Sequence, residues 1–231
     1  MLALTARRRI GAIATAALAL AVVPATGVAG LRSFGSTLKA PANVTKARRA
    51  DTAYWQTKLA GGASPRSPAT GQIKSFQIKG IALSRPKAGV PGGETMFHLQ
   101  SLRKRPDGSY KILVTSQAFF LPSKGTNPQK ITTYRPINFC IKKGDSLVFN
   151  TVGGWDGIAN RTGPYPDGTP LQIFSRVPGA VVAEYTKAGG TNNGNIIRAK
   201  SAPGTGHELL MRLTVGTGKN ATGICPGGTG R

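Results

Sequence analysis

ELLMRLTV, residues 208–215, is the stretch whose reading decides the fold of this chain. Leu209, Met211, Leu213 and Val215 alternate with Leu210, Arg212 and Thr214, the period of a half-buried strand. The same texture extends outward from it. Gly71 to Leu83 carries Phe76 and Ile78, then Ile81 and Leu83, with a change of parity at Gly80 that predicts a bulge. Thr95 to Leu102 sets Phe97 and Leu99 on one face and His98 and Gln100 on the other. Arg105-Pro106-Asp107-Gly108 then has the residues of a tight turn, and Tyr110 to Thr115 completes a hairpin. Short strands are also predicted over Ala118–Leu121, Ile131–Tyr134, Asn138–Ile141 and Ser146–Asn150, and over Leu171–Val177 and Val181–Tyr185 on either side of Pro178-Gly179. Asp51 to Leu59 reads as a strand or two helical turns.

The chain holds 31 Gly and 16 Pro, spread along its length as they are where short strands alternate with turns. The clearest loop is AGGASPRSPAT, residues 60–70. No period of about 20 to 50 residues recurs, which excludes a repeat architecture. The expectation is an all-β domain, a two-sheet antiparallel sandwich with jelly-roll wiring. It occupies residues 30–231, with residues 30–70 as an N-terminal strand and loop region.

Residues 1–29 read as a cleaved secretory signal. Arg7, Arg8 and Arg9 precede an apolar run from Ile10 to Val23, and Gly27 and Ala29 supply the small residues a signal peptidase reads. The run is shorter than the ~20 residues a spanning helix needs, and no later run approaches that length. The mature protein is therefore expected outside the cell or on its surface, with no transmembrane helix. In that setting the two cysteines, Cys140 and Cys225, are expected to form a disulfide.

The net charge is +23, from 31 Lys and Arg against 8 Asp and Glu. The signal takes three of the cations and none of the acids, so the mature charge is about +20. Such a protein adheres to polyanions. Outside the cell these are wall polymers, acidic polysaccharides, anionic lipids and free DNA. The cations are scattered (Arg48-Arg49, Lys58, Lys74, Lys79, Arg103-Lys104-Arg105, Lys142-Lys143, Arg198, Lys200), which equally suits a solvated surface. No DNA- or RNA-reading motif is present, so sequence-specific nucleic-acid binding is not expected.

Phe34 to Leu38, Asp51 to Gln56 (DTAYWQ), Ser67-Pro68-Ala69, Lys143-Gly144-Asp145, Gly190 to Gly194 (GTNNG) and Glu208-Leu209-Leu210 together resemble uncharacterised secreted β-sandwich proteins of actinobacterial type. The resemblance covers most of the mature chain. It implies an exported bacterial sandwich and brings no active site with it.

Catalytic chemistry finds little support. There is no GxSxG elbow, and His98 and His207 read as ordinary surface or edge residues. Asp156 and Glu184 are the one carboxylate pair worth testing for a hydrolase. HExxH, CxxC and EF-hand patterns are missing, and a charge near +20 opposes a divalent cation, so neither metal nor cofactor is expected. The region GGWDGIANRTGPYPDGT, residues 153–169, places Trp155 and Tyr165 in a glycine- and proline-rich loop. Exposed aromatics of this kind stack on sugars, with Asp156, Asn192 and Asn193 as polar companions; the other reading folds Trp155 back as a plug. The leading expectation is a non-catalytic domain that binds glycan or anionic wall polymer. A structural or interaction protein without a small ligand comes second, and a hydrolase third.

Overall fold

Apolar side chains turned inward from two antiparallel sheets pack them face to face, and on the small sheet these alternate with outward polar ones. A computed structural model describes residues 30–46, 51–83, 95–151, 155–156, 161–162, 170–187, 189–200 and 204–225. The expected export signal, residues 1–29, lies outside the described residues. In chain order the strands are β1 (Leu31–Gly35), β2 (Val44–Lys46), β3 (Thr52–Lys58), β4 (Gly71–Lys79), β5 (Ile81–Ala82), β6 (Thr95–Lys104), β7 (Tyr110–Thr115), β8 (Phe119–Leu121), β9 (Ile131–Tyr134), β10 (Cys140–Ile141), β11 (Ser146–Thr151), β12 (Trp155–Asp156), β13 (Arg161–Thr162), β14 (Leu171–Thr186), β15 (Ile196–Ile197), β16 (Gly204–Leu209) and β17 (Met211–Gly216).

The smaller sheet runs β1-β17-β4-β10, with β9 also on β4. The larger runs β15-β7-β6-β11-β3-β14-β16, with β2 and β5 on β14 and β8 on β6. Between them lies the main core. Phe76 and Tyr134 of the small sheet stack at 4.8 Å, Phe97 and Phe149 of the large sheet stack at 4.6 Å, and Phe76 meets Phe97 edge-on at 6.1 Å. Ile73, Ile78, Leu213 and Val215 complete the small-sheet side of this core.

The stretch 208–215 is not one strand. Its chain leaves the large sheet after Leu209 and enters the small sheet at Met211. Leu209 and Met211 still share the main core, while Leu210 packs with Leu38 and Ala42 in a small cluster of its own. Gly71 to Leu83 makes the same passage in reverse: β4 belongs to the small sheet and β5 to the large. The expected bulge at Gly80 is thus a change of sheet. Gly80 has φ 128°, and a Cβ there would sit 2.1 Å from the carbonyl oxygen of Gln172. The two crossings lie together, since Lys79 N donates to Leu210 O (3.0 Å) and Leu210 N donates to Ile173 O (3.0 Å). Bends of this kind make the corners of sandwiches. The two strands expected around Pro178-Gly179 are one 16-residue strand, β14, whose register shifts between Arg176 and Val181. The extra residues are absorbed as an irregularity, with Gly179 at φ 82°.

Cys140 and Cys225 are bonded, with their Cα atoms 5.5 Å apart. The bridge closes a separation of 85 residues and ties the C-terminal segment to β10. In the chain-entropy account a loop of that size contributes on the order of 4 kcal/mol. Among the described residues no helix is long and apolar enough to cross a membrane.

Candidate functional site

A sandwich has two outer faces, and here they differ. On the large sheet the outward positions of the central strands are apolar: Ala53 and Trp55 on β3, Val148 on β11, Leu102 on β6, Ile112 on β7 and Ala183 on β14. They form a second core with Ile197, and Trp55 is fully buried, its ring 5.2 Å from that of Tyr110. Residues 194–197 extend the sheet beside β7, and Thr191 reaches the outward side chains of the central strands. Ile112 exchanges backbone bonds with Asn195 and Gly194 (2.9 and 2.8 Å). Gln100 Nε2 donates to Thr191 O (2.7 Å), and Asn150 Nδ2 donates to Thr191 Oγ1 (2.6 Å) and Gln100 Oε1 (3.0 Å). Thr191 in turn donates its backbone N–H and its hydroxyl to Asp51.

The small sheet shows the opposite outer face. With Phe76, Ile78, Leu213 and Tyr134 turned inward, the register sets Ser33, Thr214 and Ser75 in one outward row and Arg212, Gln77 and Thr133 in the next. These rows are hydrogen-bonded across the strands. Arg212 donates Nε and Nη2 to Gln77 Oε1 (3.0 and 2.6 Å), and Gln77 Nε2 donates to Thr133 Oγ1 (3.2 Å). Ser33 and Thr214 share a hydroxyl–hydroxyl bond of 3.2 Å. Lys74, at a break in the β4–β17 register, reaches Gln72 Oε1 (2.8 Å). Lys79 Nζ donates to the carbonyls of Leu38 (3.2 Å) and Ala40 (2.9 Å).

Charge separates the faces further. The five strands of the small sheet contain Arg32, Lys74, Lys79 and Arg212 and not one Asp or Glu. The carboxylates whose side chains are described belong to the large sheet or to the turns entering it, and most are satisfied there. Asp145 is buried and takes a two-pronged bond from Arg103 (2.8 Å each) and the N–H of Lys142 (3.2 Å). That carboxylate bond holds the Arg103 guanidinium above its ordinary pKa. Asp107 accepts from Ser109, which with Arg105 and Arg198 pulls its carboxyl below the usual range. Glu184 pairs with Lys200 at 2.8 Å. Among the described residues, Lys74, Lys79 and Arg212 have no carboxylate within ion-pair distance. They spend their donors on amides and carbonyls, which leaves their positive charge unneutralised.

At the end of the sandwich, Lys46 Nζ lies 5.3 Å from the Phe174 ring centroid and 5.8 Å from that of Tyr54. Burial pushes the Lys46 ammonium below its ordinary pKa, opposed by Glu184 and reinforced by Lys200. His207 stands beside it. Its Nδ1 is buried without a hydrogen-bond partner, and burial, followed by the charges of Lys46 and Arg176, lowers its pKa.

The sequence-derived site residues fare unevenly. Trp155 and Asp156 form β12, paired with Thr162 and Arg161, and their side chains lie outside the described residues. Tyr165 lies outside them altogether. Asn193 accepts from Thr115 Oγ1 (2.7 Å), which ties its turn to β7, while Asn192 O accepts from Asn195 N (3.0 Å) within the turn itself. His98 Nδ1 is bonded to the backbone carbonyl of Ser116 (2.8 Å). Among the described residues no three His, Cys, Asp or Glu gather in a way that could hold a metal ion.

Sequence reasoning named Lys74 and Lys79 only as scattered cations and Arg212 only as the polar half of an alternation. The signal that identifies them is parity combined with composition: the outward residues of 71–79 and 211–216 include no acid. Seeing that the two segments are neighbours requires the β4–β17 pairing. No family model, curated protein or solved structure matches this chain.

Proposed function

We propose that this protein is an exported, non-catalytic domain that binds a polyanionic glycan, an acidic polysaccharide or anionic wall polymer, on the outer face of the small sheet. One observation carries the reading: this face holds Lys74, Lys79 and Arg212 in a hydroxyl- and amide-rich ladder with no carboxylate on any of its strands. The chemistry suits the ligand. Strands ~4.8 Å apart and outward residues ~7 Å apart along each strand make a flat grid on which several cations meet one polymer at once. Hydroxyls and amides beside them bond to sugar hydroxyls. The disulfide and the N-terminal signal pattern support placing the domain outside the cell.

The test is retention of the mature protein on immobilised polygalacturonate and on neutral dextran, at low and high salt. Binding to polygalacturonate that salt weakens, with none to dextran, is the expected result. Equal behaviour on both supports, or no retention on either, contradicts the proposal.

A further inference from the structure

Glu208 breaks the pattern of satisfied acids. It lies on β16 beside Leu209, which turns into the main core and donates its N–H to Gln56 Oε1 (2.8 Å). Glu208 faces the other way, at the corner where the chain passes from one sheet to the other. It is only 7% exposed, yet its carboxylate makes no hydrogen bond and no ion pair among the described residues. Asp51, Asp107, Asp145 and Glu184 all have partners. The Glu208 oxygens are not among the side-chain atoms shut off from solvent, so the charge is open to a donor from outside the chain.

The carboxylate opens into a cavity of about 210 Å³. Leu59, Ala40, Ala60 and Val177 give it apolar walls, and Thr37 and Lys39 line it as well. A second depression, of about 420 Å³, adjoins it across the glycine-rich loop, sharing Leu59, Ala60 and Ala63.

We propose that this cavity binds a small organic ligand through its ammonium group, with Glu208 as counter-ion, the apolar walls around its carbon frame, and any longer substituent running into the neighbouring depression. An ionised carboxylate only accepts hydrogen bonds, so its natural complement is a charged donor. A neutral alcohol would leave the charge uncompensated. Calcium asks for six to eight oxygens, and a single carboxylate in an apolar cavity does not offer them.

The experiment is thermal unfolding of the mature protein titrated with n-butylammonium and with glucosamine, each against its neutral counterpart, n-butanol and N-acetylglucosamine. The two ammonium probes separate a chain-borne from a sugar-borne amine. At least one of them is expected to raise Tm saturably while its neutral counterpart does not. Glu208→Gln is expected to weaken that apparent affinity about tenfold or more. Ala63→Leu, a change at an exposed position that narrows the cavity while keeping the carboxylate, is expected to weaken it too. No saturable rise with either ammonium, an equal rise with a neutral partner, or a rise unchanged in both variants overturns the proposal. The Glu208→Gln protein should still bind polygalacturonate, so failure here and failure of the glycan reading are separate results.

Discussion

The two outer faces of this sandwich start from the same alternating pattern and end differently. Outward positions on β3, β6, β7 and β11 are Trp55, Leu102, Ile112 and Val148, and they are buried in a second core with Ile197, Tyr110 and Tyr185. Outward positions on β4, β9 and β17 are Gln77, Thr133, Arg212 and Thr214, and they face solvent. The large sheet and its turns hold acids paired with some of their cations, while the small sheet has cations alone. The two sheets carry the same net excess on their strands, six cations less two acids against four cations and no acid, so what sets the small sheet apart is the absence of acids among its cations. One face of the sandwich is buried in a second core, and the other is open.

The sharpest way to break the comparison is at Trp55. Trp55→Ala removes the largest side chain of the second core and is expected to cost about 3–5 kcal/mol in urea or thermal unfolding. What remains folded should bind polygalacturonate as before, because the small sheet is untouched. A large loss of affinity in the folded fraction would mean that the faces are not independent.

The next largest effect is expected at the ion pair that anchors the start of β11. Arg103→Ala leaves the buried Asp145 carboxylate with its backbone bond alone, for a loss of about 2–3 kcal/mol after allowing for the exposed side of Arg103. Removing Arg212, which pairs with an amide rather than an acid, should cost less than 1 kcal/mol. Similar losses at the two positions would erase the distinction between neutralised and open charge.

A smaller effect concerns pH. His207 has its pKa lowered by burial and by Lys46 and Arg176, so the folded state holds its proton less tightly than the unfolded chain. Its contribution to stability is full above the unfolded value of about 6.5 and is lost as pH falls through the folded value. Tm should therefore decline between about pH 7 and 5, and His207→Gln should flatten that decline. An identical slope in the variant would assign the pH dependence to other groups.

Much of this was legible in the residues. Period-two alternation identifies the strands, and the turn at Arg105–Gly108 joins the hairpin β6–β7 as its Pro and Gly demand. The even cysteine count, read beside an N-terminal signal pattern, points to the Cys140–Cys225 bond. The sheet changes at Gly80 and Leu210 were half visible: the parity shift at Gly80 marks an irregularity, but a corner and a bulge look alike until both sheets are known. At Leu210 the alternation continues unbroken, because Leu209 and Met211 face the same core from two different sheets. The candidate face was hidden for another reason. Its residues come from segments far apart in the chain, 135 positions for Gln77 and Arg212, and the missing carboxylates show only once strands are assigned to sheets. Trp155 and Tyr165 drew notice because aromatics stand out in a loop. Lysines in a lysine-rich chain do not.

The most direct test compares two triple variants of equal net charge. Lys74→Gln/Lys79→Gln/Arg212→Gln strips the open face, with glutamine at 79 still able to donate to the Leu38 and Ala40 carbonyls. Arg105→Gln/Arg198→Gln/Lys200→Gln removes as many cations from the ion pairs of the large sheet. Affinity for polygalacturonate, measured across a salt series on protein shown to be folded, is expected to fall on the order of tenfold or more in the first variant, with a shallower salt dependence, and to change only a few-fold in the second. Equal losses in the two would show that binding follows total charge and not the small-sheet face.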